Sequence, residues 1–196
     1  MLSCTLVVRD ENGKVIDRKT IRTNSITLNM LRMINQVFKH NREFSLRLID
    51  GSADSFDAEM LVWGRCHMTE KDRPCDVNIV LGRNEHDEIV DDYFNYRIEE
   101  DEVEFSEIVN IDIDVNLEDP TKPYSYFGFS RSFKNITNNN IEVYDIGFLY
   151  STQRSLEEPE IKRTVCIARI LIPPEERPVI PPKCTLEVTV KFENYF

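Results

Sequence analysis

Glycine and histidine are scarce in this chain, cysteine is sparse, and no long apolar run occurs. Each shortage removes a class of function. With 6 Gly in 196 residues there is no glycine-rich phosphate loop, so a nucleotide cradle of that kind is excluded. His40, His67 and His86 are the 3 histidines, none beside a Ser or Cys nucleophile pattern, and Gly-x-Ser-x-Gly and His-Glu-x-x-His are both missing. The 5 cysteines, Cys4, Cys66, Cys75, Cys166 and Cys184, are odd in number and irregularly spaced, unlike a disulfide framework. No segment is apolar for long enough to span a bilayer, so no membrane partner is expected. The stretch Met1–Asp10 lacks a basic start and reads as a strand, so synthesis in a cytoplasm with reduced thiols is expected. Basic residues are outnumbered, 24 against 35 acidic, for a net charge of −11. Such a surface repels phosphate backbones and disfavours direct nucleic-acid binding. It keeps the protein soluble, or meets a basic partner or divalent cations.

What is present is apolar content in alternating segments. At 41% hydrophobic and 10% aromatic the chain can bury a sizeable core. The clearest period-two run is Thr185 to Phe192, with every even position apolar. Cys4, Leu6 and Val8 alternate too, and Asn12-Gly13 predicts a hairpin returning through Val15–Ile21. Ile26, Met30, Met33, Ile34, Val37 and Phe38 share one face at helical spacing, with Leu31 beside them, which predicts a helix over about 25–40. Phe44, Leu46 and Leu48 predict a strand ending at Asp50-Gly51-Ser52, followed by another near 58–64 carrying Trp63. Val77, Ile79 and Leu81 alternate, and Val109, Ile111, Ile113 and Val115 predict a strand with an acidic outer face. Phe127, Phe129 and Phe133 fall on one face of the next strand, and Asn135–Asn140 reads as a turn, since Asn tolerates left-handed backbone. The apolar phase slips between Val143 and Ile146, predicting a bulge or bend near Tyr144-Asp145. The prolines around Val179-Ile180 predict an extended crossing without helix. The fold expected is mainly β: an antiparallel β-sandwich, jelly-roll-like, with one amphipathic helix near residues 25–40. A single domain over 1–196, with an N-terminal hairpin-helix element, is expected.

Several clusters invite chemistry and have plainer readings. Cys66, His67 and Cys75 have the wrong spacing for a zinc knuckle and lack a fourth ligand. Glu85, Asp87, Glu88, Asp91 and Asp92 offer oxygens to calcium, but not at EF-hand spacing. Asp112 and Asp114 suit the paired carboxylates of a glycosidase, yet wet strand faces carry such pairs routinely. No catalytic residue, metal site or cofactor is therefore assigned. Tyr93, Phe94, Tyr96, Tyr124 and Tyr126 are the residues for an alternative function, an aromatic platform of a carbohydrate or cell-surface binding module.

The order of segments carries a resemblance. Asn12-Gly13-Lys14-Val15 precedes Asn24-Ser25 and Asn29-Met30-Leu31; Ile79-Val80-Leu81-Gly82 precedes Asp91-Asp92-Tyr93. Arg131-Ser132-Phe133-Lys134-Asn135 leads through an Asn-rich turn to Ile141-Glu142-Val143 and Asp145-Ile146-Gly147-Phe148. Ala168-Arg169-Ile170-Leu171-Ile172-Pro173-Pro174 and Val179-Ile180-Pro181-Pro182 then lead to the last strand, with Lys183-Cys184 at a position where a turn glycine is usual. This order is similar to a loose class of structural proteins from tailed phages and other prokaryotic viruses. The resemblance implies a non-enzymatic β-sandwich located in the virion, capsid or tail, made in the host cytoplasm. Its implied partners are other virion proteins and further copies of itself. The expected contact residues are Arg83, Asn84 and Glu85 in one loop, Pro174, Val179 and Ile180 in the proline-rich crossing, and the terminal Tyr195 and Phe196.

Overall fold

The computed structural model describes residues 2–23, 27–39, 43–57, 76–83, 98, 101–116, 124–153 and 162–195. They are mainly β, in antiparallel sheets, with one α-helix. Strands β1 (Leu2–Arg9) and β2 (Val15–Thr23) form the predicted hairpin. Its turn is held by the Asp10 carboxylate, which accepts the N–H groups of Asn12 and Lys14, each at 2.9 Å. Gly13 sits at φ +81°, a backbone conformation in which a Cβ is strained.

Helix α1 (Leu28–Lys39) follows. Among the described residues the predicted apolar face is kept in part. Met33 is buried and Met30 packs against the core, but Leu31 and Ile34 are exposed. Thr27 and Asn29, both polar, are buried instead. Strands β3 (Glu43–Arg47) and β4 (Ala53–Asp57) pair around the Asp50-Gly51-Ser52 turn. The strand that pairs with the first thus begins at Ala53; the one expected near 58–64, with Trp63, lies outside the described residues.

The remaining strands are β5 (Asp76–Gly82), β6 (Val103–Phe105), β7 (Val109–Asn116), β8 (Tyr124–Asn135), β9 (Ile141–Glu142), β10 (Asp145–Gln153), β11 (Lys162–Leu171), β12 (Val179–Ile180) and β13 (Thr185–Tyr195). A six-stranded sheet runs β2-β1-β13-β8, with β6 and β7 sharing the far edge of β8. Strands β11-β10-β5 form a three-stranded sheet, and β9 pairs with β12. The sequence's best alternation lies in β13, in the middle of the larger sheet. Leu186, Val188 and Val190 are wholly buried there, opposite Val8, Leu6 and Cys4 of β1. Each such aliphatic side chain contributes roughly 1.5–3 kcal/mol on burial.

One apolar cluster takes residues from both of these sheets. Phe148 of β10 lies 5.1 Å from Phe129 and 5.4 Å from Phe192, centroid to centroid, and Phe127 stacks on Phe192 at 4.8 Å. The phase slip near Tyr144 is where the chain changes sheets. Ile141 faces Ile180 across β9 and β12, whereas Ile146 faces Ile170 and Leu81 in the three-stranded sheet. At the crossing, Val143 N–H donates to the Pro178 carbonyl at 3.1 Å and Tyr144 N–H to the Gly82 carbonyl at 2.8 Å.

Two strand readings change. Val109 pairs with Ser130 and Ile111 with Gly128, on the face of β8 opposite Phe129, and the register shifts before Asp114. Val109 is 62% exposed, so the start of the strand does not send its apolar side chain inward as alternation predicts. The proline-rich crossing contains a 3₁₀ turn at Pro174–Glu176, where none is expected. Proline at the head of such a turn supplies the required φ and loses no needed N–H.

Candidate interaction surface

The surface rests on a polar framework that sets its edges. Arg131 occupies an inward position of β8 between Phe129 and Phe133. Its guanidinium donates to the Asn78 side-chain oxygen, to the Ile79 carbonyl at 3.1 Å and to the Ser106 carbonyl at 2.9 Å. It also lies 3.9 Å from the centroid of Phe105. One buried cation thereby joins β8 to β5 and to the β6–β7 connection. The signal was legible: a charge standing in the apolar phase of an alternating strand needs partners inside.

Asn135, at the end of β8, is a second buried hub. Its amide donates to the Asn139 and Ile180 carbonyls, both at 2.7 Å, and its oxygen accepts the Thr137 N–H and hydroxyl, both at 2.8 Å. The turn after β8 is held by these side-chain bonds. Its asparagines are not left-handed; Lys183 is the non-glycine residue with positive φ, at 64°.

The third element is a buried ion pair between neighbouring strands. Arg169 Nε and Nη2 donate to Asp145 Oδ2 at 2.8 and 2.5 Å, and the two side chains are only 7% and 3% exposed. A fourth attaches the helix. β11 bulges at Ile167, between the pairs Phe148–Ala168 and Leu149–Cys166. The Cys166 carbonyl accepts the Thr27 hydroxyl at 2.8 Å and the Ile167 carbonyl accepts the Thr27 N–H at 3.2 Å. Asn29 bonds the Arg47 N–H and carbonyl in turn, at 3.0 and 2.7 Å, fixing β3 to α1.

The residues expected to make contacts are scattered by the fold. Arg83 is exposed at the end of β5 and ion-pairs with Glu102. Pro174 is exposed on the 3₁₀ turn, and Val179 is exposed on β12. Ile180 is fully buried in the shared core, opposite Ile141, so it presents nothing to a partner. Tyr195 ends β13 opposite Tyr124. Asn84, Glu85 and Phe196 lie outside the described residues, as do Cys66, His67, Cys75 and the carboxylates Glu85 to Asp92.

Two exposed apolar side chains, Phe105 and Ile136, meet instead at the β6 edge, where with Val103 and Glu104 they line a depression of 380 Å³. Val109 is exposed on the other face of the sheet. Another depression, 460 Å³, is lined by Leu48, Ile49, Asp50, Asp54, Arg163 and Thr164 among others. Its carboxylates are engaged locally: Arg163 Nε meets Asp54 Oδ2 at 2.7 Å, and the Ser52 hydroxyl and N–H donate to Asp50, holding its carboxyl below the usual range.

Of the aromatic platform, Tyr126 carries the Lys191 ammonium 4.1 Å from its ring centroid, so a cation already covers one ring face. Tyr93, Phe94 and Tyr96 lie outside the described residues. Cys4, Cys166 and Cys184 are free and buried. Burial pushes the Cys4 thiol up to about 12, and raises Cys184 with the help of Asp10 and Glu11. Neither is poised as a nucleophile. Among the described residues no group of His, Cys, Asp and Glu is arranged to hold a metal ion, and no helix is long and apolar enough to cross a membrane. No protein-family model, no curated protein and no solved structure matches this chain.

Proposed function

We propose that the protein is a non-enzymatic structural component of a virus particle, capsid or tail, acting through contact surfaces on a jelly-roll-like β-sandwich. The shared aromatic core of β8, β13 and β10 supports the sandwich reading, since rings from both sheets meet there. The residues that carry the resemblance are the framework just described. Arg131, Asn135, Asp145 and Arg169 each fasten one strand or turn to another, which is the role such residues have in a protein whose shape is its product.

The observation that carries the reading is the exposed apolar pair Phe105 and Ile136, which line one depression at the β6 edge of the six-stranded sheet. Exposed apolar side chains clustered at a strand edge mark an association surface in a stable protein. Other virion proteins, or further copies of the chain, are the partners. Mass spectrometry of purified particles of the encoding virus tests this: the protein is expected among the particle proteins, and its absence from particles, with production in infected cells, overturns the reading.

A further inference from the structure

Strand β2 lies at one end of the six-stranded sheet, and among the described residues no strand pairs with its outer edge. In a chain of net charge −11, residues 14–23 hold Lys14, Arg18, Lys19 and Arg22 against a single acid, Asp17. The register sorts these residues by face. Asp17, Lys19 and Ile21 stand opposite Val8, Leu6 and Cys4, on the core side. Lys19 is satisfied there: its ammonium lies 3.5 Å from Asp17 Oδ2 and donates to the Arg177 carbonyl at 3.2 Å. Arg18, Thr20 and Arg22 stand opposite Val7, Thr5 and Ser3, on the other face. Arg18 and Arg22 are exposed, and among the described residues no carboxylate pairs with either. Between them the Thr20 hydroxyl meets that of Thr5 at 3.3 Å. Two uncompensated guanidiniums thus stand about 13 Å apart along one strand edge.

Exposed charge on an edge strand ordinarily blocks pairing. On β2 the block is selective. A neutral strand laid alongside would partly desolvate two uncompensated cations, and a basic one would add repulsion. A strand with a carboxylate opposite each arginine turns both contacts into cross-strand attraction. The remainder of the edge offers apolar surface: Val15 and Ile16 open β2 at 43% and 50% exposure. A nucleic acid or other long polyanion would run past this short strip onto a chain that is acidic elsewhere, so a short acidic segment is the better match.

We propose that the β2 edge is a docking site for an acidic, extended segment of another protein, which adds antiparallel to the sheet as a further strand. Antiparallel addition specifies the segment. Read from its N-terminus, an acid faces Arg22, an apolar residue faces Ile21, a hydroxyl residue faces Thr20, and a second acid faces Arg18, four places after the first. Two apolar residues then reach Ile16 and Val15. Main-chain pairing supplies affinity, and the spacing of the acids supplies selectivity. This deepens the proposed virion role and rests on it, by giving the chemistry of the segment that a neighbouring particle protein presents.

The test is fluorescence anisotropy of a labelled, end-capped peptide, Ser-Glu-Val-Thr-Thr-Glu-Thr-Val-Val-Ser, titrated with the purified protein at low and high ionic strength. Saturable binding below about 1 mM is expected, weakening as salt screens the pairs. A scrambled peptide of the same composition, with its two acids adjacent, is expected to bind at least about 10-fold more weakly. Two peptides N-methylated at alternate amides, one in each phase, are expected to divide. One loses binding and the other keeps it, because a strand turns only every second N–H toward a given neighbour. R18E/R22E is expected to lose at least about 10-fold for the first peptide and to gain as much for one with lysines in place of both acids. Circular dichroism and thermal melting check that this variant folds, and the wild-type comparisons stand whether or not it does. The proposal is overturned by no saturable binding, by equal binding of the scrambled peptide, by methylation that matters in neither phase, or by a folded variant that binds like the wild type. A single-stranded oligonucleotide that displaces the peptide at lower concentration than the peptide itself binds also overturns it. Peptide failure with the protein present in particles sinks the edge contact alone. Peptide binding with the protein absent from particles sinks the virion reading alone.

Discussion

Arg169→Met is the substitution from which most can be learned. It removes the cation that Asp145 faces between β10 and β11, leaving a carboxylate in an environment only 3% exposed. Breaking a buried pair from one side costs about 3–5 kcal/mol, because the remaining charge stays desolvated. Replacing both partners, as Asp145→Leu with Arg169→Met, removes the unpaired charge and restores most of that loss. With a urea dependence of about 2 kcal/mol per molar, the single substitution lowers the unfolding midpoint by about 2 M. Urea unfolding followed by tryptophan fluorescence and far-ultraviolet circular dichroism measures all three proteins. The coupling energy comes from the double-mutant cycle. A loss under 1 kcal/mol for Arg169→Met alone would refute the claim that this pair is buried and obligatory. A double variant as unstable as the single one would show that the strands need the charges themselves.

Three further outcomes are expected. Cys4 titrates near 12 in the folded protein, against about 9 when exposed, so the folded state holds its proton after the unfolded state has lost it; stability falls by about 1.4 kcal/mol per pH unit between those values, and Cys4→Ala removes that slope in alkaline urea titrations. Gly128→Ala puts a Cβ 2.4 Å from the Val190 carbonyl oxygen, in the backbone of the neighbouring strand; a loss of about 1–3 kcal/mol in urea unfolding is expected, and an unchanged midpoint would mean β8 and β13 lie farther apart. Lys183→Gly relieves a left-handed residue at φ 64°, and thermal unfolding is expected to show a gain of up to about 1 kcal/mol, part of the relief being offset by the freer unfolded chain.

Strands with one wet face were legible because alternation reports the solvent boundary directly. The β13 pattern and the Asn12-Gly13 hairpin came through, and the phase slip at Tyr144, expected as a bulge or bend, marks a change of sheet. Where burial is set by something other than the strand's own face, the sequence misled. Val109 is exposed because its pairing with Ser130 puts it on the face of β8 opposite Phe129. Ile180 looks exposed among prolines, yet pairing of β12 with β9 carries it into the core. Ile34 fits a helical stripe yet is exposed, while the start of α1 is tied down by polar side chains, Thr27 on β11 and Asn29 on β3. The candidate surface was the least legible part, because Phe105 and Ile136 come together only once β6 pairs with the end of β8.

Quantitative mass spectrometry of density-purified particles from the encoding virus addresses the virion role most directly. The protein is expected there in fixed proportion to the other particle proteins, at many copies per particle, and to survive high-salt washing with them. Detection only in the soluble fraction of infected cells, with none in intact particles, would contradict a structural role.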